Sequence, residues 1–509
     1  MSRPAAPAAR GSDLARRLLW AALAVALLVR LATLGAYALF DETESRYADI
    51  ARQMLARGDW ITLWYMDGVP FWAKPPLSTW LSAGSMAVFG VDEFGARLPS
   101  WLLGLVAVAV AGRWAGAAAG ADAGLVAAVL LAGSVGLFVG AGAVMTDPSL
   151  VACVALGQWA GWLALSADSP ARSARFALCA FAAAGAGLLA KGPIAAVLVL
   201  VPPAVTLVVA RGRVRRPGMA AVASGLALML AIAAPWYLLA ERRTPGLLSY
   251  FLVGEHFGRF LQPGWRGDLY GHPKQAARGM IWIYALLAAL PWPLALASAR
   301  VRAGAARVAR RAWQAEPAAL HAAACALLPL ALFTASRNVI WTYALPALPA
   351  LAVLGALCLD EAGRGAPRES PAAASGRRGL RLTAAAVLAP VAVSAAMLAA
   401  AASGRLPTTR PLVQAYLRLP GAQAEPLVFA EHRPYSGSFY LDGRTRWAGV
   451  DGALVLLVGP DAVARCGAFP TDEWARIAPH ARQELRIEWS DERFVLACRP
   501  GAARPAGRP

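Results

Sequence analysis

The sequence predicts an all-α polytopic membrane protein of about eleven transmembrane helices, followed by a small C-terminal α/β domain on the outer side of the membrane. Three observations predict it. The 509 residues are 58% hydrophobic and only 16% charged, with positive mean hydropathy. Apolar runs of roughly 18 residues or more, the length that crosses a bilayer as a helix, recur as far as Ala402. The basic residues behind the formal charge of +19 gather in short loops at alternate ends of these runs, at 171–175, 211–217, 299–311 and 376–381. Such clusters mark cytoplasmic loops by the positive-inside rule. Charge that alternates with spans is a topology signal rather than a nucleic-acid footprint, so no nucleic acid partner is expected.

The first run, 18–40, follows Arg3, Arg10, Arg16 and Arg17. It is too long for a cleavable signal peptide and lacks a small-residue cleavage site. The others fall at 99–119, 123–141, 149–166, 176–190, 194–210, 219–240, 278–299, 318–334, 339–359 and 381–402. With the N-terminus inside, this odd number places the chain beyond the last run outside, together with 41–98, 142–148 and 241–277. The tails 1–15 and 500–509, rich in Ala, Pro, Gly and Arg, are expected to be disordered. Between them, 16–403 forms the membrane domain, with 41–98 as its outer loop, and 404–499 the outer domain. The stretch 360–378 is composed like the tails and is expected to be a mobile loop.

Within the outer loop, Tyr47, Ile50, Met54 and Leu55 form an apolar stripe beside Arg46, Asp49, Arg52 and Arg57, so 44–57 reads as an amphipathic helix lying in the interface. Gly58 ends it. Trp60, Trp64, Tyr65, Phe71 and Trp72 supply interface-type aromatics. Lys74-Pro75-Pro76 opens a second helix, 77–89, because proline is tolerated in a first turn, and Gly90 closes it. In the outer domain, 426–430, 438–441, 453–459 and 494–498 read as strands and 472–485 as a helix. Cys153, Cys179, Cys325 and Cys358 lie in spans and read as packing residues. Cys466 and Cys498 lie where oxidation is allowed, and spacing alone leaves open whether they pair.

Asp41, Glu42 and Glu44 sit at the outer boundary of the first run, Asp147 follows the third and Lys191 the fifth. Ionisable groups at membrane depth are costly, which makes them functional candidates. Each alone also reads as a helix cap or a snorkelling anchor. Their convergence on one side, with the cations Arg46, Lys74, Arg97, Lys191, His256, Arg259 and Lys274, points to a site for an anionic ligand at a lipid interface. The segment 254–261, GEHFGRFL, brings Glu255, His256 and Arg259 together, and Tyr343 stands inside a proline-kinked late span. A transporter or flippase of lipid-linked sugars is the alternative, since intramembrane charges also line permeation routes, but such sites lie near midplane between repeats. No internal repeat is evident in the sequence.

The motifs DE…RYADIARQML, GDW, a Gly-Val-Pro with a following aromatic, KPPL, FG, ARLPS, MTDPSL, AKGP, PWY, EHFGRFL and YALPALP cover roughly 15–360. In these motifs the chain resembles polyprenyl-phosphate-dependent glycosyltransferases of the GT-C class, in particular the aminoarabinose lipid A transferase branch, related to protein mannosyltransferases. The resemblance implies a GT-C membrane fold and a sugar donor carried on undecaprenyl phosphate. It further implies inverting transfer to an outer-leaflet lipid acceptor, lipid A above all. Membrane lipids are the other expected partners, and the chain is expected to act as a monomer in a bacterial inner membrane with its site and C-terminal domain in the periplasm.

Residue by residue, the family's acidic residue after the first span falls on Asp41 or on Glu44. The family spacing is Asp-Glu, one residue, Arg-Tyr, whereas here three residues separate Glu42 from Arg46. Asp147 matches a second outer aspartate, and Lys74 matches the lysine that holds donor phosphate. Arg46, Lys191, His256, Arg259 and Tyr343 complete the expected substrate-binding set. The branch often carries a glutamate immediately before that lysine, where this chain has Ala73. No metal is assigned; a divalent ion near Glu255 and His256 is the one cofactor candidate. The loss of a carboxylate at Ala73 counts against it, because such ions need charged ligands, and it leaves a related hexosamine or hexose open beside aminoarabinose.

Overall fold

The computed structural model describes residues 7–271, 274–364, 371–422, 424–460 and 462–500. The chain forms two compact units, one of Met1–Ala36 with Gly58–Ala399, the other of Tyr37–Arg57 with Ala400–Pro509. The expected outer loop 41–98 is thus divided between them.

The first unit is almost wholly helical. Among the described residues, seven helices are long and apolar enough to cross a membrane: Glu93–Ala119, Asp147–Leu165, Pro170–Lys191, Met219–Arg243, Pro317–Thr334, Trp341–Arg364 and Leu382–Ala402. Leu77–Phe89, Ala121–Ala132 and Pro193–Val209 are shorter apolar helices. Small residues bring their backbones close. A Cβ on Gly124 would lie 2.6 Å from the Gly112 carbonyl oxygen, and one on Gly187 2.6 Å from the Ala195 Cβ. The core between them is built of Ala, Leu and Val with Trp114 fully buried.

Several expected runs are divided differently. The first helix spans Pro7–Ala32, so 7–15 is helical rather than a disordered tail and 33–40 is not helical. Thr33 helps end it, its Oγ1 bonding back to the Val29 and Arg30 carbonyls at 3.0 Å. The run 123–141 divides at Gly133-Ser134, where Ser134 Oγ donates to the Leu131 carbonyl at 2.7 Å. The run 278–299 becomes the helix Met280–Ala288 and a 3-10 turn Trp292–Ala297, since Pro291 and Pro293 remove backbone donors. The segment 339–359 opens with a 3-10 turn, Trp341–Ala347, before Leu348–Arg364. Of the expected loop 360–378, 360–364 continues that helix and 371–378 begins the helix Pro371–Ala402. Residues 365–370, like the tails 1–6 and 501–509, lie outside the described residues.

Before Lys74 the chain makes a short antiparallel hairpin, β1 (Trp64–Met66) with β2 (Val69–Pro70). The GDW motif anchors it. Asp59 Oδ1 accepts the Ile61 and Thr62 amides at 3.1 Å, its Oδ2 accepts Trp64 Nε1 at 3.1 Å, and Arg243 Nη1 reaches Oδ1 at 2.6 Å. Burial works against the Asp59 charge, yet these hydrogen bonds prevail and hold its carboxyl below the ordinary range.

The second unit carries β3 (Leu427–Ala430), β4 (Thr445–Ala448), β5 (Cys466–Pro470), β6 (Arg486–Ser490) and β7 (Phe494–Cys498) in the order β4-β3-β5-β7-β6. β3 is parallel to both β4 and β5, and the other pairs are antiparallel. Two expected strands are helices: 438–441 falls in Tyr435–Tyr440 and 453–459 in Val450–Val458. Parallel neighbours need a crossover, and these two helices are the crossovers from β3 to β4 and from β4 to β5. The single helix expected over 472–485 is two, Thr471–Arg476 and Pro479–Arg482, because Ala478 before Pro479 is extended. Cys466 and Cys498 stand opposite one another on β5 and β7 and are joined by a disulfide.

The helix Thr43–Arg57 belongs to this unit. Both its faces are buried, which differs from an amphipathic helix with its polar side in water. Asp49 accepts from Arg52 Nε at 2.8 Å and from Gln53 Nε2 at 3.0 Å, so the buried polar side satisfies itself.

Candidate active site

In the first unit, three helix ends and one loop bring together most of the residues singled out above. Asp147 begins its helix, with Pro148 in the first turn. Lys191 ends the next helix, Pro170–Lys191, and Gly192 turns the chain into Pro193–Val209. A carboxylate at a helix start and an ammonium at a helix end both suit the helix dipoles. Their side chains meet: Lys191 Nζ donates to Asp147 Oδ1 at 2.5 Å, with the two side chains 12% and 8% exposed. The Lys191 ammonium also lies over the Tyr343 ring, 4.8 Å from its centroid.

Gly192 is needed for this turn. Its φ is +82°, and a Cβ there would approach the Phe251 ring to 2.7 Å and His256 Cε1 to 2.9 Å. The loop that covers it begins as a π-helix, Ser249–Gly258, followed by Arg259–Leu261. The wider turn is costly and is found preferentially at functional sites.

This loop meets Lys74 through Glu255. Lys74 Nζ donates to Glu255 Oε2 at 2.9 Å, and Arg259 Nη1 donates to both Glu255 oxygens at 3.2 Å and to Asp268 Oδ2 at 3.4 Å. Tyr250 OH is 3.4 Å from Glu255 Oε1 and accepts the Leu269 amide at 3.2 Å. Burial works against the Glu255 charge, but Lys74 and then Arg259 prevail and hold its carboxyl below the usual range. His256 is pushed below its ordinary value, chiefly by burial, while its contact with the Phe251 carbonyl, 2.8 Å from Nδ1, favours the protonated form.

Lys74 is held by the hairpin before it. Tyr270 OH donates to the Pro70 carbonyl at 2.7 Å and accepts the Trp72 amide at 3.0 Å, and Trp72 Nε1 donates to Thr244 Oγ1 at 3.1 Å. Asn338 clamps the other side of the loop: its Nδ2 donates to the Arg259 and Gln262 carbonyls and its Oδ1 accepts the Gly264 amide. Neither Asn338 nor Tyr270 stood out in the sequence, since a lone amide before an apolar run and one aromatic among many carry no pattern.

A cavity of about 330 Å³ opens among these residues. Lys74, Lys191, Glu255, His256, Arg259, Asn338 and Tyr343 line one part, and Leu150, Ile194, Val197, Phe251, Phe257, Phe260 and Phe333 supply an apolar remainder. Paired cations beside a greasy wall suit a ligand with an anionic head and a hydrocarbon tail. Among the described residues no group of three or more His, Cys, Asp or Glu side chains is placed to hold a metal ion. Glu255 in particular faces two cations, so the residues present do not fit the divalent ion considered near Glu255 and His256.

Other expected residues stand elsewhere. Lys274 is exposed. Arg97 is fully buried and Nη1 donates to the Leu34 carbonyl at 2.6 Å, a structural use of its charge. Asp41, Glu44 and Arg46 belong to the second unit. There Asp41 accepts from Ser45 Oγ at 2.5 Å, from the Ser436 amide at 2.9 Å and from Ser436 Oγ. Burial pushes its carboxyl above the ordinary value despite those hydrogen bonds. Glu44 Oε2 accepts the Phe40 amide at 3.0 Å, and the Arg46 guanidinium lies over the Tyr47 and Tyr435 rings.

Residues 14–251 match the family described as dolichyl-phosphate-mannose-protein mannosyltransferase. An undecaprenyl phosphate-alpha-4-amino-4-deoxy-L-arabinose arabinosyl transferase of Pseudomonas paraeruginosa is 34% identical over 348 residues, 67% of this chain and 59% of the relative. The namesake from Pseudomonas aeruginosa is 33% identical over 351 residues, again 67% and 59%. The matched stretch thus spans less than two thirds of these relatives. In three dimensions the chain resembles the crystal structure of ArnT from Cupriavidus metallidurans bound to undecaprenyl phosphate, with a TM-score of 0.76 at 22% identity over 95% of this chain and 98% of that one. The chain is therefore a multi-pass membrane protein with an ArnT-like helical fold and a small C-terminal mixed sheet, similar over residues 14–251 to the protein mannosyltransferase family and over two thirds of its length to the arabinosyl transferases.

Proposed function

We propose that the chain transfers 4-amino-4-deoxy-L-arabinose, or a related hexosamine or hexose, from an undecaprenyl-phosphate carrier to an outer-leaflet lipid acceptor, lipid A. The observation that carries this reading is the meeting of Lys74 and Arg259 on one carboxylate, at a cavity with a polar part and an apolar wall of Leu150, Ile194, Val197 and phenylalanines. Lys74 and Arg259 would hold the carrier phosphate and the apolar wall its first isoprene units. The relatives named for this reaction favour transfer over transport.

In the transfer step the bond from the anomeric carbon to the phosphate oxygen breaks, and its electron pair goes to the phosphate. An acceptor oxygen attacks the opposite face of the same carbon, which inverts it. The phosphate gains negative charge as the bond breaks, so fixed cations beside it stabilise the transition state more than the ground state. An acceptor hydroxyl would give its proton to a carboxylate, whereas an ionised acceptor phosphate needs only positioning. The resemblance assigns the acceptor-side carboxylate to Asp41 or Glu44, with Asp147 as the second. Arg46, Lys191, His256 and Tyr343 complete the substrate-binding set. Lys191 and Tyr343 act with Asp147, and His256 lies against the turn that carries Lys191.

The proposed topology is eleven crossings of a bacterial inner membrane by a monomer, with the site and the domain 404–499 in the periplasm. It is supported by the basic residues at 171–175, in the first turns of Pro170–Lys191, and at 211–217, after Pro193–Val209, which lie at the helix ends opposite Asp147 and Lys191. Mass spectra of lipid A from cells with and without the protein test the function. A mass increment matching the amino sugar, present only with the protein, supports it; identical spectra would move the acceptor to another lipid, a glycan or a protein.

A further inference from the structure

Glu255 stands where, on the reading above, the carrier phosphate belongs. It contacts both candidate phosphate-holding cations, at 2.9 Å from Lys74 and 3.2 Å from Arg259, and its side chain is only 4% exposed. Two oxygens shared between an ammonium and a guanidinium reproduce the donor set that a phosphate would draw on. The residue preceding Lys74, Ala73, brings no charge of its own, so the carboxylate comes from a different segment. That segment is the π-helix Ser249–Gly258, a rare form found frequently at functional sites.

We infer that Glu255 is an internal counterion that occupies Lys74 and Arg259 when no carrier is bound, that the carrier phosphate enters by exchange for it, and that its charge favours release of the spent carrier. The inference rests on the assignment of Lys74 and Arg259 to the carrier phosphate. The sugar-bearing carrier is a phosphodiester with a single negative charge. The spent carrier is a monoester with about −1.5 to −2 at neutral pH. A carboxylate tethered beside the site opposes both and opposes the monoester more. Glu255 is thus a positioning and specificity-setting residue, discriminating product from substrate by charge.

The test uses the full-length protein in nanodiscs, with undecaprenyl phosphate and the undecaprenyl-phosphate sugar as probes. Glu255→Gln, which keeps the shape and removes the charge, should bind undecaprenyl phosphate about tenfold tighter, equivalent to ~1.4 kcal/mol, and the sugar donor less so. Its Ki for undecaprenyl phosphate should therefore fall relative to its KM for the donor, and turnover should stall earlier through product inhibition. Glu255→Asp should keep the wild-type ratio of Ki to KM. Equal or weaker binding of undecaprenyl phosphate by Glu255→Gln would overturn the inference and leave Glu255 as a brace for Lys74. Lys74→Ala and Arg259→Ala separate the two levels. If both bind the carrier as tightly as wild type, the phosphate assignment falls and the inference with it. If both lose binding while Glu255→Gln gains none, the inference alone falls.

Discussion

Replacing Asp147 by asparagine isolates the worth of the pair at the two helix ends. The substitution leaves the Lys191 ammonium 12% exposed and without its carboxylate. Breaking one side of a buried ion pair costs about 3–5 kcal/mol. The replacing amide still offers one acceptor, worth roughly 1 kcal/mol. The Tyr343 ring, 4.8 Å from Lys191 Nζ, continues to hold the charge. The expected loss of stability is therefore about 2–3 kcal/mol, on the order of a hundredfold in the unfolding equilibrium. Denaturant titration of the detergent-solubilised protein reads it. Asp147→Asn combined with Lys191→Met removes the stranded charge as well and should recover most of the loss. Transfer activity should be abolished in the single variant and should not return in the double, because stability and chemistry are separate uses of the same carboxylate. A single variant as stable as wild type, or a double variant no better than the single, would refute the buried-pair account.

Other perturbations follow from the same geometry. Gly192→Ala forces a side chain onto a φ of +82° and into Phe251 and His256, and should cost ~2 kcal/mol or more and most of the transfer activity, read by thermal melting and a donor-consumption assay. Glu255 has a carboxyl held below its ordinary value of 4.5. Its contribution to stability is present above that value and is lost as pH falls through the lower folded-state value, so Glu255→Gln should flatten the acid limb of the stability profile and leave the alkaline limb unchanged. Reduction of Cys466–Cys498, which closes a loop with sequence separation 32, should destabilise the second unit by about 3–4 kcal/mol in the chain-entropy account, seen as a lower melting step in the full-length protein with a thiol reductant.

The membrane character was legible because hydropathy and loop charge are local properties. Where spans break, the determinants were partly visible: Pro291 and Pro293 mark the division of 278–299, while the hydroxyl of Ser134 that ends one helix at Gly133 looks like any other serine. The C-terminal domain was misread where pairing is non-local. The apolar run 453–459 suits a buried strand as well as a helix, and only the parallel pairing of β3 with β4 and β5 makes it a crossover helix. Of the residues singled out from the sequence, the structure places Lys74, Asp147, Lys191, His256, Arg259 and Tyr343 in one unit. The pairing partners were not. Nothing in the spacing shows that Glu255 lies on Lys74, 181 positions away, or that Asn338 clamps the loop carrying Arg259. The same applies to Asp41, whose hydroxyl and amide partner Ser436 comes from the far end of the chain.

On the proposed function, Lys74 and Arg259 hold a polyprenyl phosphate whose sugar is passed to a lipid. The most direct measurement reconstitutes the purified protein in liposomes with undecaprenyl-phosphate aminoarabinose and lipid A and follows the lipid A mass. Wild type is expected to produce sugar-bearing lipid A, while Lys74→Ala and Arg259→Ala, folded by their melting curves, produce none. Undiminished transfer by both variants, or none by the wild type with this donor and acceptor, would contradict the account.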